Sequence, residues 1–268
     1  MNPVLDVQNL YLGVSQNRQY SPILNGVNIE IPRSQIHGLV GESGAGKSML
    51  AKAILGILPS STTIDKGYIH FKGNDLVGMP RYERRQLASR HIAMIPQDPM
   101  TSLNPVRRIG YQLGDVLRLH MKLNRVHAHE RVLELLSDVQ IRDPERVVHQ
   151  YPFELSGGMR QRVLIAMAFS CKPELIIADE PTTALDVTVQ RQILQLIKLL
   201  QSETGTSVLF ISHDLGVIAK ICDYVSILHG GNIVEMQSAV NLFRNPCHSY
   251  TQNLLEITSH YYRFENAD

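Results

Sequence analysis

Residues 41–48 read GESGAGKS, between an apolar run, QIHGLVG, and a helix-like segment, KSMLAKAILGIL. Few folds accommodate that order. A buried strand that opens through glycines into a helix start aims a row of backbone N–H groups at one spot, which suits anionic oxygens. Gly41, Glu42, Ser43, Gly44, Ala45, Gly46, Lys47 and Ser48 match the P-loop pattern in full. The glycines let successive amides wrap a β-phosphate, Lys47 neutralises β/γ charge, and the Ser48 hydroxyl is a ligand for Mg²⁺. The stretch predicts a nucleoside triphosphate as ligand and an α/β fold around it.

The rest of the chain keeps the same rhythm. Strands are expected over 4–10, 23–31, 35–41, 67–73, 91–97, 174–179, 207–212 and 224–229, and helices over 158–171, 188–203 and 214–221. GYIHFKG (67–73) reads as an edge hairpin strand. From Pro105 to Pro152 there is no strand signal, only a polar segment of helical period with clustered His and Arg. With 44% hydrophobic and 19% charged residues the chain has a globular balance, and its formal net charge of +1 gives no bias toward nucleic acid. The longest apolar run, VLIAMAF at 163–169, is far short of the roughly 20 residues a spanning helix needs. No charged-plus-apolar leader opens the chain, so a soluble protein is expected. Cys171, Cys222 and Cys247 form no CxxC pair and read as isolated reduced thiols.

A second glycine loop, LSGGMRQR, occupies 155–162. Ser156 can cap the helix that follows, and Gly157 and Gly158 let another group approach the backbone. One bound nucleotide does not call for two such loops. ELIIADE (174–180) is a buried strand ending in two carboxylates. Asp179 at the strand end can hold Mg²⁺, and Glu180 can accept a proton from an attacking water. Gln97 follows the strand HIAMIP and could reach Mg²⁺ or that water; His213 follows SVLFIS and could donate to a γ-phosphate. A lone Gln or His is more often structural. Both, however, lie at C-terminal strand ends, where open α/β sheets place their ligands.

In order and spacing these residues resemble the nucleotide-binding domain of ATP-binding cassette (ABC) proteins over nearly the whole chain. In family terms 41–48 looks like Walker A, Gln97 the Q-loop and 155–159 the signature. Likewise 174–180 looks like Walker B, Ala184-Leu185-Asp186 the D-loop and His213 the switch histidine. The resemblance implies one domain over 1–268. Its RecA-like P-loop NTPase core and antiparallel β subdomain would occupy 1–104 and 156–240, an inserted α-helical subdomain 105–155, and a helical tail 241–268. It implies ATP and Mg²⁺ as cofactors, with Ser48, Gln97 and Asp179 on the metal and Glu180, Gln97 and His213 catalytic. It also implies a head-to-tail dimer in which each ATP lies between one subunit's P-loop and the other's Ser156, Gly157 and Gly158. That accounts for the second loop.

QDPMTSLNP (97–105), YPFELSGGMRQR (151–162) and NPCHSYTQNLL (245–255) are similar to elements of dipeptide, oligopeptide and nickel importer ATPases, with Ser249 where proline is usual. Such a protein would sit peripherally on the cytoplasmic face of the bacterial inner membrane. Its partners would be two transmembrane permease subunits, a paralogous or identical ATPase and an extracytoplasmic substrate-binding protein, with no nucleic acid. The cargo stays open between peptides and nickel or metal-chelate complexes. The compact length resembles the nickel and metallophore systems, and without a C-terminal cysteine cluster no iron–sulfur centre is expected. The adenine-stacking aromatic falls near Val14 when counted from the motif, with Tyr11 or Tyr20 as substitutes. An exporter ATPase and a non-transport ABC protein acting on DNA or ribosomes are the alternatives. A P-loop kinase or GTPase would leave the signature loop unexplained. His120, His127, His129 and His149 are expected to be solvated surface rather than a metal site.

Overall fold

A computed structural model describes residues 2–16, 19–183 and 185–256. Along the chain run β1 (Leu5–Gln16), β2 (Gln19–Ile31), β3 (Ile36–Val40), α1 (Lys47–Leu55), β4 (Thr62–Phe71), β5 (Asn74–Asp75), α2 (Arg81–His91), β6 (Ile92–Ile95), α3 (Pro99–Ser102) and α4 (Ile109–Met121). There follow α5 (Arg125–Asp138), α6 (Pro144–Val147), α7 (Gly157–Phe169), β7 (Leu175–Asp179), α8 (Val187–Thr204), β8 (Ser207–Ser212), α9 (Leu215–Ile221), β9 (Tyr224–His229), β10 (Asn232–Ser238) and α10 (Ala239–Arg244). The elements belong to two compact units, residues 1–88 with 207–268, and residues 89–206.

In the first unit an antiparallel sheet runs β2-β1-β4-β5. Leu5 and Val7 of β1 are buried, and so are Leu10 and Leu12, so the inward phase slips by one residue between them. A register shift between Val7 and Leu10 makes the slip, with Asn9 at φ 49 and its amide donating to Asn28 Oδ1 at 2.9 Å. Opposite, Gly67 sits at φ 101, and a Cβ there would strike the Asn9 carbonyl. Such bulges bend a strand while keeping its apolar side chains inward. The strand expected over 67–73 begins earlier, at Thr62, and pairs with β1 on one side and β5 on the other, so it is not an edge.

The same unit holds strands in the order β10-β9-β3-β8, with β3 parallel to both β8 and β9 and a β9–β10 hairpin closing one side. Every residue of β3 and β8 is buried, the pattern of a parallel strand covered on both faces. His37 is one of them, 1% exposed, with Nε2 2.8 Å from Ser226 Oγ and no partner for Nδ1. Burial pushes its pKa down to about 4. Between pH 6.5 and about 4 the unfolded chain takes up a proton that the folded chain refuses. This contribution to stability is therefore full above pH 6.5 and lost as pH falls, by about 3 kcal/mol over the window. Urea unfolding at pH 7 and pH 4.5 should show His37→Gln losing less stability than the parent. An equal loss in both proteins rejects the assignment.

In the second unit β6 and β7 pair in parallel, with Ile92 opposite Leu175 and Ile95 opposite Ala178. The segment between β6 and α7 carries helices and, among its described residues, no strand. Leu113 and Leu117 of α4 and Val132, Leu135 and Leu136 of α5 are buried, following the helical period. Arg162 of α7 donates to the Val139 carbonyl at 2.8 Å, to Gln140 Oε1 at 3.2 Å and to Gln192 Oε1 at 3.0 Å, joining α7 to the end of α5 and to α8. Among the described residues, no helix is long and apolar enough to cross a membrane.

Candidate nucleotide site

Val40 and Ser212 are register partners in β3 and β8, so Gly41 and His213 leave neighbouring parallel strands at the same end. Gly41 is tightly confined: a Cβ there would run into the Leu228 carbonyl of β9. Gly44 at φ 84 and Gly46 at φ 107 occupy the region that side chains disfavour, and Gly46 is the residue from which α1 starts. The Ala45 amide donates to the Glu42 carbonyl at 3.1 Å. Lys47 is buried, and its Nζ donates to the carbonyls of Gly41 at 2.7 Å and Glu42 at 2.9 Å, folding the side chain back across the loop. Glu42, Ser43 and Gly44 are exposed and Ser48 is half-buried. The result is a cationic cradle of amides with an open rim, fitted to phosphate oxygens. His213 is exposed next to Asp214, which caps α9 by accepting from Gly216 N at 2.7 Å and Val217 N at 3.2 Å.

In the second unit Asp179 is the last, buried residue of β7, and Glu180 follows at φ 47. A glutamate in left-handed backbone stores strain, and such strain is found where a side chain must be aimed. The carboxylate is held from two sides: Gln97 Nε2 donates to Oε2 at 3.2 Å and Thr183 Oγ1 donates to the same oxygen at 3.0 Å. The structure thus brings Gln97, at the end of β6, to Glu180, at the end of β7. Thr183 was not singled out by the sequence, although a hydroxyl three residues past the acid, in EPTT, was the available signal.

Ser156 caps α7, its Oγ accepting from Met159 N at 3.3 Å, while the residue itself is exposed. Gly158 is required within the chain, because a Cβ would meet Val189 Cγ1 at 2.8 Å. Gly157 is not: among the described residues a Cβ there would come near only Leu185 Cδ2, at 3.9 Å. A glycine that local packing does not demand leaves the helix start open to something from outside. Asp186 caps α8 through Val189 N at 2.9 Å, and Ala184 lies outside the described residues. The aromatic substitutes near Val14 are both exposed: Tyr20 donates to Asp65 Oδ2, and Lys66 Nζ lies 5.8 Å from the Tyr11 ring centroid. His127, His129 and His149 are exposed and His120 is half-buried. No cluster of three His, Cys, Asp or Glu able to hold a metal occurs among the described residues.

A phosphate cradle at the end of one parallel strand and a carboxylate-tipped parallel strand are the parts of a P-loop nucleotide hydrolase. The family model described as ABC transporter matches residues 24–183. The probable D,D-dipeptide transport ATP-binding protein DdpD of Escherichia coli is 48% identical over 95% of this chain and 78% of its own length. The dipeptide transport ATP-binding protein DppD of Bacillus subtilis is 44% identical over 95% and 76%. Among solved structures, the dimeric bacterial ABC transporter cassette MJ0796 superposes with a TM-score of 0.78 at 25% identity, over 88% of this chain and 98% of that one. The chain belongs to the ABC transporter family and is an ABC-type ATPase with an α/β P-loop fold.

Proposed function

We propose that this ATPase energises a bacterial peptide importer. The observation that carries the reading is similarity at 43–48% identity, over almost the full chain, to proteins named as dipeptide and oligopeptide transport ATP-binding subunits. It favours peptides over the nickel or metal-chelate cargo that the compact length suggested. The protein works on the cytoplasmic face of the membrane with two permease subunits and a second ATPase, paralogous or identical, in a head-to-tail pair. An extracytoplasmic binding protein delivers the peptide. ATP-driven closure and hydrolysis-driven opening shift the permeases between two states.

The amides of 41–48 and Lys47 hold the phosphates. Ser48, Gln97 and Asp179 each offer the hard oxygen that Mg²⁺ takes, and a cation of this kind is held by few protein ligands together with substrate phosphates. When bound there, Mg²⁺ would supply charge neutralisation to the phosphates. Glu180 takes the proton of the attacking water, Gln97 steadies that carboxylate, and His213 donates to the γ-phosphate. Ser156, Gly157 and Gly158 serve the partner's nucleotide. The test is uptake in a strain lacking this chain, with labelled dipeptide, labelled oligopeptide and nickel in parallel. Peptide uptake should fall to background and recover on complementation while nickel uptake persists. Loss of nickel uptake with peptide uptake intact overturns the proposal.

A further inference from the structure

The stretch after α10, NPCHSYTQ at 245–252, is fixed by one carboxylate. Glu235 on β10, 9% exposed, accepts from the amides of Cys247 at 2.8 Å and His248 at 3.0 Å, and from Gln237 Nε2 at 2.6 Å. Burial alone would raise its pKa, but the Cys247 amide, the Thr251 hydroxyl, the His248 amide and the Gln237 side chain outweigh it and hold the carboxyl below its ordinary value. Within the turn, Tyr250 N donates to His248 Nδ1 at 3.2 Å and Gln252 Nε2 to the Pro246 carbonyl at 2.9 Å. This is more anchoring than an idle tail calls for.

The anchored turn presents Tyr250. Its ring stacks on His229, with centroids 3.8 Å apart. His229 ends β9, one residue beyond Leu228, the residue whose carbonyl confines Gly41. The Tyr250 hydroxyl is buried and, among the described residues, has no partner within hydrogen-bond geometry. Burial, and after it the Glu42 carboxylate close by, push the phenol's pKa up. A buried phenol with no partner is costly, and the group it faces belongs to the phosphate loop.

We propose that residues 245–252 brace the phosphate loop, with Tyr250 as a positioning residue whose hydroxyl donates to the Glu42 carboxylate when the loop holds phosphate. The proposal rests on the reading of 41–48 as a nucleotide site. It places the effect in nucleotide affinity and leaves the chemical step alone, because the group that Tyr250 would hold is Glu42 of the phosphate loop.

The test titrates a fluorescent ATP analogue and measures steady-state ATPase on the full chain. Tyr250→Phe removes only the hydroxyl and should weaken nucleotide binding roughly 3–10-fold, the value of one net hydrogen bond, while turnover at saturating ATP stays within about twofold of the parent. In a Glu42→Ala background the same change should cost almost nothing further. Glu235→Gln, which loosens the turn, should weaken binding in the same direction. Unchanged affinity in Tyr250→Phe or in Glu235→Gln, or a full Tyr250→Phe penalty without the Glu42 carboxylate, overturns the brace. A parent that binds no nucleotide overturns the functional reading itself.

Discussion

Glu180→Gln is expected to keep ATP binding and to lose turnover by about two to four orders of magnitude, the range that a positioned proton acceptor contributes. The substitution is nearly isosteric, so the strained backbone at φ 47 and the contact with Thr183 have no steric reason to change. What is lost is a basic oxygen: an amide cannot take the proton of the attacking water. The cradle around Lys47 is built on the carbonyls of Gly41 and Glu42, which the substitution leaves in place. Binding and chemistry should separate cleanly, with nucleotide dissociation constants near the parent's and phosphate release at or near background. Hydrolysis at the parental rate in this variant would falsify the assignment of Glu180 as base.

The P-loop was legible in the sequence because each of its requirements is local. A buried strand, glycines at the positive-φ positions 44 and 46, and a lysine at the helix start are all properties of consecutive residues. The strand order around it was less so. The slip in β1 depends on Asn9 meeting Asn28 and Gly67, residues far along the chain. The helix α2 went unrecognised because RYERRQLASRH has no apolar stripe; Arg84 anchors it by donating to the Ala53 carbonyl. At the site, the sequence put Gln97 and Glu180 at strand ends, but their meeting on one oxygen shared with Thr183 is a matter of side-chain placement that no spacing rule encodes. The anchoring of 245–252 is hidden for the same reason, since Glu235 looks like any polar residue in a hairpin until its donors Gln237, Cys247 and His248 are seen in space.

Ser156→Arg is expected to leave nucleotide binding to the isolated chain within about twofold of the parent and to abolish the ATP-dependent pair, because Ser156 caps α7 while the cradle is built on Lys47 and the carbonyls of Gly41 and Glu42. Losing the cap on Met159 N should cost about 1 kcal/mol of stability, and a cation at a helix N-terminus adds a little more through the dipole. Neither is enough to unfold the protein. The larger effect lies outside the chain. Ser156 is exposed, and Gly157 beside it is kept bare although, among the described residues, nothing crowds the space. A long guanidinium there fills the approach to the free amides and must be buried on closure. Burying a charge without its partner costs roughly 3–5 kcal/mol, a loss of about two to four orders of magnitude in pairing affinity. Size-exclusion chromatography with ATP in the Glu180→Gln background reads this directly. Glu180→Gln alone should run as a dimer, and the double variant as a monomer that still binds nucleotide. A double variant that dimerises normally, together with parental turnover in Ser156→Arg alone, would mean that the second glycine loop serves only its own chain.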